Sequence, residues 1–302
     1  MKIQARHWMV LMMLVAVWGS SYLMIEVALR AWRPAEITGI RIAMAAVVLL
    51  VALWVRRERL PTGWRHWAFL VTIALIGNCA PFFLISWGQQ QVESGLAGIL
   101  AASTPLFVLV FAHFLLEDEP MHRRHVCAFV LGFAGIVVLM GPDSLAALGG
   151  STPRLWSQLA ILAGAVCYAA ATVIARKMPP ASSLVTSAGV MLAASCVMSG
   201  FMWDGIAGID QVSWQAAGAI GFLGLLGTGV ASILYFHLLS RTSARFTSLL
   251  NFLVPVWAVC LGAVWLGESL PLSAWLGLVL VLGSLILISN SVIIPLPTNK
   301  RR

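Results

Sequence analysis

Charge is what this chain of 302 residues has least of: Asp, Glu, Lys and Arg together make up 10% of it. A water-soluble domain carries roughly 25% charged residues, so a globule with a solvated polar surface is excluded. Cysteine gives little either. The five (Cys79, Cys127, Cys167, Cys196, Cys260) all fall inside apolar runs, without CxxC or other zinc spacing. Their odd number argues against a disulfide framework, and they read as small packing residues. No Walker lysine motif occurs, so the chain carries no ATPase of its own. No His-Glu-x-x-His, Gly-x-Ser-x-Gly or facing aspartate cluster marks an intramembrane enzyme.

Apolar length is abundant. Hydrophobic residues make up 60% of the chain, in runs that reach the roughly 20 residues a bilayer-crossing helix needs. The basic start from Met1 to His7 imitates a secretory leader, but its apolar run continues to Leu29 without a plausible cleavage site, so a retained first span is expected. Apolar runs read against polar breaks predict ten helices near 7–29, 37–55, 66–88, 94–116, 124–141, 156–176, 183–203, 214–239, 246–266 and 272–290. The longest break, from Gly141 to Arg154, separates five spans from five. It divides the chain into residues 1–147 and 148–302.

The net charge of +8 suits an anionic membrane surface better than nucleic acid. Of the 19 Lys and Arg, fifteen gather on one side of the alternating spans. Arg30, Arg33 and Arg154 lie on the other side, and Arg41 lies within a span. Basic residues favour cytoplasmic loops, so both termini are expected in the cytoplasm.

Two stretches about 150 residues apart read alike: SGLAGILAASTPLFVLVFAHFLLEDE from Ser94 and SARFTSLLNFLVPVWAVCLGAVWLGES from Ser243. Each has a small polar start, a central proline (Pro105, Pro255) and an acidic exit, a cluster Glu117-Asp118-Glu119 in the first and Glu268 in the second. Proline-interrupted apolar segments at corresponding positions point to a transporter made of two related halves. Spans 3 and 8 follow Trp67 and Trp214 and carry Gly77 and Gly227. Spans 5 and 10 share an apolar stretch around a glycine. Five spans per half make the halves antiparallel in the membrane.

With Val17-Trp18-Gly19-Ser20-Ser21-Tyr22 in the first span, and Leu115-Leu116-Glu117-Asp118-Glu119 and Trp265-Leu266-Gly267-Glu268 closing the fourth and ninth, the chain resembles the drug/metabolite transporter superfamily, EamA type, over about residues 7 to 290. The resemblance implies an all-α polytopic membrane protein of ten transmembrane helices in two inverted five-helix repeats. It also implies export of amino acids or other small metabolites across the inner membrane.

Intramembrane charge is costly and marks function by default. Glu26 and Arg41 should sit at similar depth on consecutive helices, either as a structural ion pair, with Arg41 snorkelling, or as a gate or solute site. Trp18 and Tyr22 precede Glu26 at intervals of four on one helix stripe. Together with Ser21, Asn78, Ser103, Thr104, Tyr168, Thr172, Tyr235 and Asn251 they form the expected solute-binding set. Interhelical packing also accounts for such polar residues. Asn78 and Asn251 precede Pro81 and Pro255, which free carbonyls one turn back. Glu26, Arg41, Pro105 and Pro255 form the expected gating or coupling set. Trp87, Trp203, Trp214, Trp265 and Trp275 read as interfacial anchors. Gly218, Gly221, Gly224 and Gly227, every third residue of span 8, permit close helix approach. No metal site or cofactor is expected. The expected partners are a small solute, the bilayer and protons, with the oligomeric state open and a monomer compatible. Energy would come from a proton gradient or from the solute's own gradient, and a channel or lipid-translocating scaffold is the alternative reading.

Overall fold

The computed structural model describes residues 4–116, 123–146, 152–201, 203, 212–242, 244–247 and 249–291. Among them the regular structure is helical, without strands. Seven helices are long and apolar enough to cross a membrane: α1 (Ala5–Ala28), α2 (Pro34–Val55), α3 (Trp64–Gly88), α4 (Ser94–Leu115), α5 (Arg123–Gly141), α6 (Pro153–Ala175) and α8 (Trp214–Tyr235). Three further apolar helices are shorter: α7 (Ser183–Val197), α9 (Leu250–Trp265) and α10 (Leu272–Leu287).

Helix starts follow local chemistry. Pro34 and Pro153 occupy the first turns of α2 and α6, where a missing N–H costs nothing and the fixed φ suits a helix. The apolar pattern alone predicts starts near 37 and 156, three residues later, because proline reads as a breaker. Glu36 accepts the Arg33 backbone N–H at 2.7 Å and helps close the first turn of α2. Ser182 and Ser213 cap α7 and α8, their hydroxyls accepting from Val185 N at 3.2 Å and Ala216 N at 3.3 Å.

Among the described residues, two helices change winding midway. Leu75–Cys79 of α3 and Phe222–Val230 of α8 are π-helical. The expected proline bends are unequal. Pro105 opens the second part of α4, after a break at Ala102 and Ser103, whereas Pro255 lies inside α9. In the second stretch a single turn, Ala244–Thr247, precedes α9, which starts at Leu250. The likeness of the two stretches therefore hides a difference at the proline, which follows a break in one and lies within a helix in the other. Glu117-Asp118-Glu119, much of the Gly141–Arg154 break and the basic C-terminal tail lie outside the described residues.

Packing joins the first five helices to the last five. α1 lies against α8 and α9, α6 against α3 and α4, and α2 against α7 and α8. α3 meets α7, α4 meets α9, and α5 runs along α10. Glycines set the closest crossings. A Cβ on Gly277 would lie 2.4 Å from Leu139 Cβ and 2.8 Å from the Gly135 carbonyl oxygen. The four-glycine stripe of α8 divides: Gly224 faces Met44 and Gly227 faces Ser21, while Gly218 and Gly221 have nothing within 4 Å of a built Cβ. Only the half of the stripe that meets α1 and α2 is used for close approach.

Glu268, just past α9, accepts from Ser94 N at 2.8 Å, Ser94 Oγ at 2.7 Å and Gly95 N at 3.0 Å. The exit of the second repeated stretch thus caps the start of the first, where a carboxylate satisfies open N–H groups and suits the helix dipole. On the same helix start, Arg154 pairs with Glu93 at 2.8 Å. The outside of the bundle is apolar: Trp54 and Val264 are each 79% exposed, as hydrocarbon around a helical bundle requires. The five anchor tryptophans are exposed, as are Cys127, Cys196 and Cys260. Cys79 is buried and Cys167 half-buried. So three of the cysteines face outward rather than pack between helices.

Gly277→Ala should destabilise the protein by about 1–3 kcal/mol, because the α5–α10 crossing must open to admit a methyl group. Gly218→Ala should leave thermal unfolding in detergent unchanged or slightly raised. Equal midpoints for the two variants would contradict the crossing.

Candidate functional site

A cavity of about 560 Å³ lies between the two sets of helices, within the roughly 300–1,000 Å³ usual for small-molecule sites. Trp18, Ser21 and Tyr22 of α1 line it together with Asn78 of α3, Thr104 of α4, Tyr168 and Thr172 of α6, Tyr235 of α8 and Asn251 of α9. Of the expected solute-binding set, Ser103 alone does not line the cavity. It is fully buried and its hydroxyl donates to the Leu100 carbonyl at 2.6 Å. Of the expected gating set, Arg41 and Pro255 line the cavity, while Glu26 and Pro105 do not.

The π-helical windings contribute directly to the wall. Thr228 donates from Oγ1 to the Leu223 carbonyl, five residues back, at 3.0 Å. Asn78 makes the matching bond to the Ile73 carbonyl, also five residues back, at 3.5 Å. Trp18 donates its indole N–H to the Gly227 carbonyl at 3.2 Å, and Ser232 donates to the Thr228 carbonyl at 2.6 Å. Such windings gather at functional sites because they leave backbone carbonyls for side chains to satisfy. Other hydroxyls of the wall bond within their own helix: Ser21 to the Val17 carbonyl, Thr104 to the Ala101 carbonyl and Thr172 to the Tyr168 carbonyl.

Two aromatic pairs line the cavity. Trp18 and Tyr235 are tilted with centroids 5.4 Å apart, and Phe82 meets Tyr168 edge-on at 6.3 Å. Phe82 also carries the Arg41 guanidinium 3.9 Å above its ring centroid. Arg41 is 7% exposed and donates from Nε to Thr228 Oγ1 at 2.7 Å. The expected ion pair with Glu26 does not form among the described residues; their ion pair is Arg154–Glu93. Glu26 feels Glu268, Arg30 and Glu93 instead. Depth along the helix was the basis of the expected pair. Arg41 turns toward α3 and α8, where Phe82 and Thr228 hold it.

The EamA-like transporter family matches residues 6–141 and again residues 155–290. The chain belongs to the EamA-like transporter family. Among its relatives is the uncharacterized inner membrane transporter YedA of Escherichia coli, 28% identical over 287 residues, which span 91% of this chain and 88% of that protein. Another is the uncharacterized transporter YoaV of Bacillus subtilis, 25% identical over 268 residues, 88% of this chain and 90% of that one. A probable terminal-alkyne amino-acid exporter of Streptantibioticus cattleyicolor is 28% identical over 298 residues, 96% of this chain and 95% of that one. One solved crystal structure superposes with a TM-score of 0.61 at 19% identity, over 94% of this chain and 98% of that one. That likeness concerns the fold alone.

Sequence reasoning passed over Phe82 in this EamA-like chain, although it lies one helical turn past Asn78 on the same face. It also passed over Trp257, which packs on Gly19 and donates its indole N–H to Ser20 Oγ at 3.1 Å. In the sequence Thr228 is one of many hydroxyl residues within apolar spans. Its glycine-flanked setting, matching Gly77-Asn78 in α3, is the signal that singles it out.

Thr228→Val leaves the buried Arg41 Nε without its acceptor and should cost about 1–3 kcal/mol, read as a lowered unfolding midpoint. Thr228→Ser, which keeps the hydroxyl, should recover most of it. A valine variant as stable as the wild type would show that the Arg41–Thr228 bond carries no net stability.

Proposed function

We propose that this EamA-like protein is a secondary transporter with ten transmembrane helices in two inverted repeats, residues 1–147 and 148–302. In this reading it exports amino acids or similar small metabolites across the inner membrane by alternating access around the central cavity. The observation that carries the reading is the cavity itself, built from counterpart helices of both halves.

The packing supports the repeat. Adding five to a helix number turns the α1–α9 contact into α6–α4, α1–α8 into α6–α3, and α2–α8 into α7–α3. The contacts α2–α7, α4–α9 and α5–α10 map onto themselves. The two π windings fall in α3 and α8, with Gly77-Asn78 and Gly227-Thr228 at matching places. The family also matches the chain twice, once in each half. Five helices per half invert the second repeat, and the lysine and arginine bias supports cytoplasmic termini. A relative described as a probable amino-acid exporter and another described as an inner membrane transporter support the solute class and the membrane.

Solute identity is best approached by comparing toxicity of many metabolites to cells with and without the protein. With that solute, Trp18→Ala and Asn78→Ala should abolish saturable counterflow in proteoliposomes while membrane insertion stays normal. Wild-type rates in both would remove these residues from the solute site, and non-saturable flux without counterflow would mark a channel instead of a carrier.

Two driving forces suit such a carrier, a proton gradient and the solute's own gradient. Glu26 is a carboxyl within the span of α1, so Glu26→Gln should abolish dependence on an imposed pH gradient. Unchanged dependence in that variant would place the coupling group elsewhere.

A further inference from the structure

We infer that Arg41 is the anchor for a carboxylate, so that the solutes of this protein are organic acids, with or without an amino group, and not amines or neutral metabolites. The inference rests on the cavity being the solute site and adds the chemistry that the site reads.

Among the described residues Arg41 is the one charged side chain that lines the cavity. It is nine-tenths buried, and an intramembrane guanidinium is expensive unless something balances it. Nothing among the described residues does. The ionisable groups close enough to act on it are the hydroxyls of Tyr22 and Tyr168, which are neutral near pH 7. Its Nε is taken by Thr228, and its face is held on the Phe82 ring. Those two contacts orient the group while leaving both Nη groups without a hydrogen bond among the described residues. An oriented guanidinium with a free edge fits the two oxygens of a carboxylate, and its planar fork does so in bidentate fashion. The Tyr22 and Tyr168 hydroxyls, also without hydrogen-bond partners among the described residues, can donate to the same anion. The aromatic pairs and Ile25, Ile85 and Met191 of the lining suit an organic body and offer little to a small inorganic anion. No carboxylate among the described residues lines the cavity, so a solute whose only charge is positive would meet repulsion without a counter-ion there.

The test uses the purified full-length protein in lipid nanodiscs and a matched aromatic series: 3-phenylpropionate, phenylalanine, 3-phenylpropanamide and 2-phenylethylamine, with chloride and inorganic phosphate as further competitors. Binding is read by tryptophan fluorescence and by the shift in unfolding midpoint. The two acids should bind roughly 10- to 100-fold more tightly than the amide and the amine, the range of a charged hydrogen-bonded contact. Arg41→Gln should erase that preference and Arg41→Lys should keep part of it, with folding of each variant checked by its unfolding transition. Should Arg41→Gln fail to fold, the Arg41→Lys variant and the wild-type ranking still decide. Equal affinities across the series, no binding by either acid, or displacement of the acids by chloride or phosphate at equal concentration would overturn the inference. Counterflow in proteoliposomes separates the two layers. Transport without preference for acids sinks the carboxylate anchor alone, whereas acid-selective binding without transport sinks the carrier reading and leaves the anchor standing.

Discussion

Backbone carbonyls that need partners inside an apolar bundle are the constraint on which the rest of this structure hangs. Hydrocarbon offers no hydrogen bonds, so every irregularity in a membrane helix must be satisfied from within the protein. Two helices, α3 and α8, depart from α winding where they border the cavity. The carbonyls there are met by Asn78, Thr228, Ser232 and, from a neighbouring helix, the Trp18 indole. These side chains therefore serve the backbone and shape the cavity at once. Their hydroxyls and amides sit where solvent or solute meets the wall because that is where the winding changes.

Arg41 depends on the same arrangement. Its Nε bond goes to Thr228, which the π winding of α8 positions, and its ring partner Phe82 stands one turn beyond the π winding of α3. One buried cation is thus clamped between counterpart features of the two halves. Several other charges sit at helix ends and are balanced there: Glu268 on the Ser94 and Gly95 amides, Glu93 on Arg154, Glu36 on the Arg33 amide. The imbalance at Arg41 therefore stands out as a property of the cavity.

Much of the fold is legible in the residue order. Apolar length between polar breaks locates the long helices among the described residues, because burying backbone in lipid leaves a helix as the economical choice. The errors are local and have causes. Pro34 and Pro153 open helices where the reading had them end a loop, since proline is a breaker only where its N–H is needed. Pro105 and Pro255 look equivalent in the sequence yet sit at a break and inside a helix respectively. A proline marks where a helix can bend, and the packing of neighbours decides whether it does. The glycine stripe of α8 is half used, for the same reason.

By itself the sequence determined the class and the long helices and pointed to nine residues that the structure brings to one cavity, though not to Phe82, because apolar length, charge bias and mid-membrane polar residues are properties of the chain's order. Only the tertiary structure decided the partners. Glu26 and Arg41 form no ion pair among the described residues, Phe82 becomes the floor of a guanidinium, and Glu268 caps a helix start about 170 residues away. Depth along a helix follows from counting residues. Direction around it follows from which helices pack on either side, and that is set by contacts between segments more than a hundred residues apart.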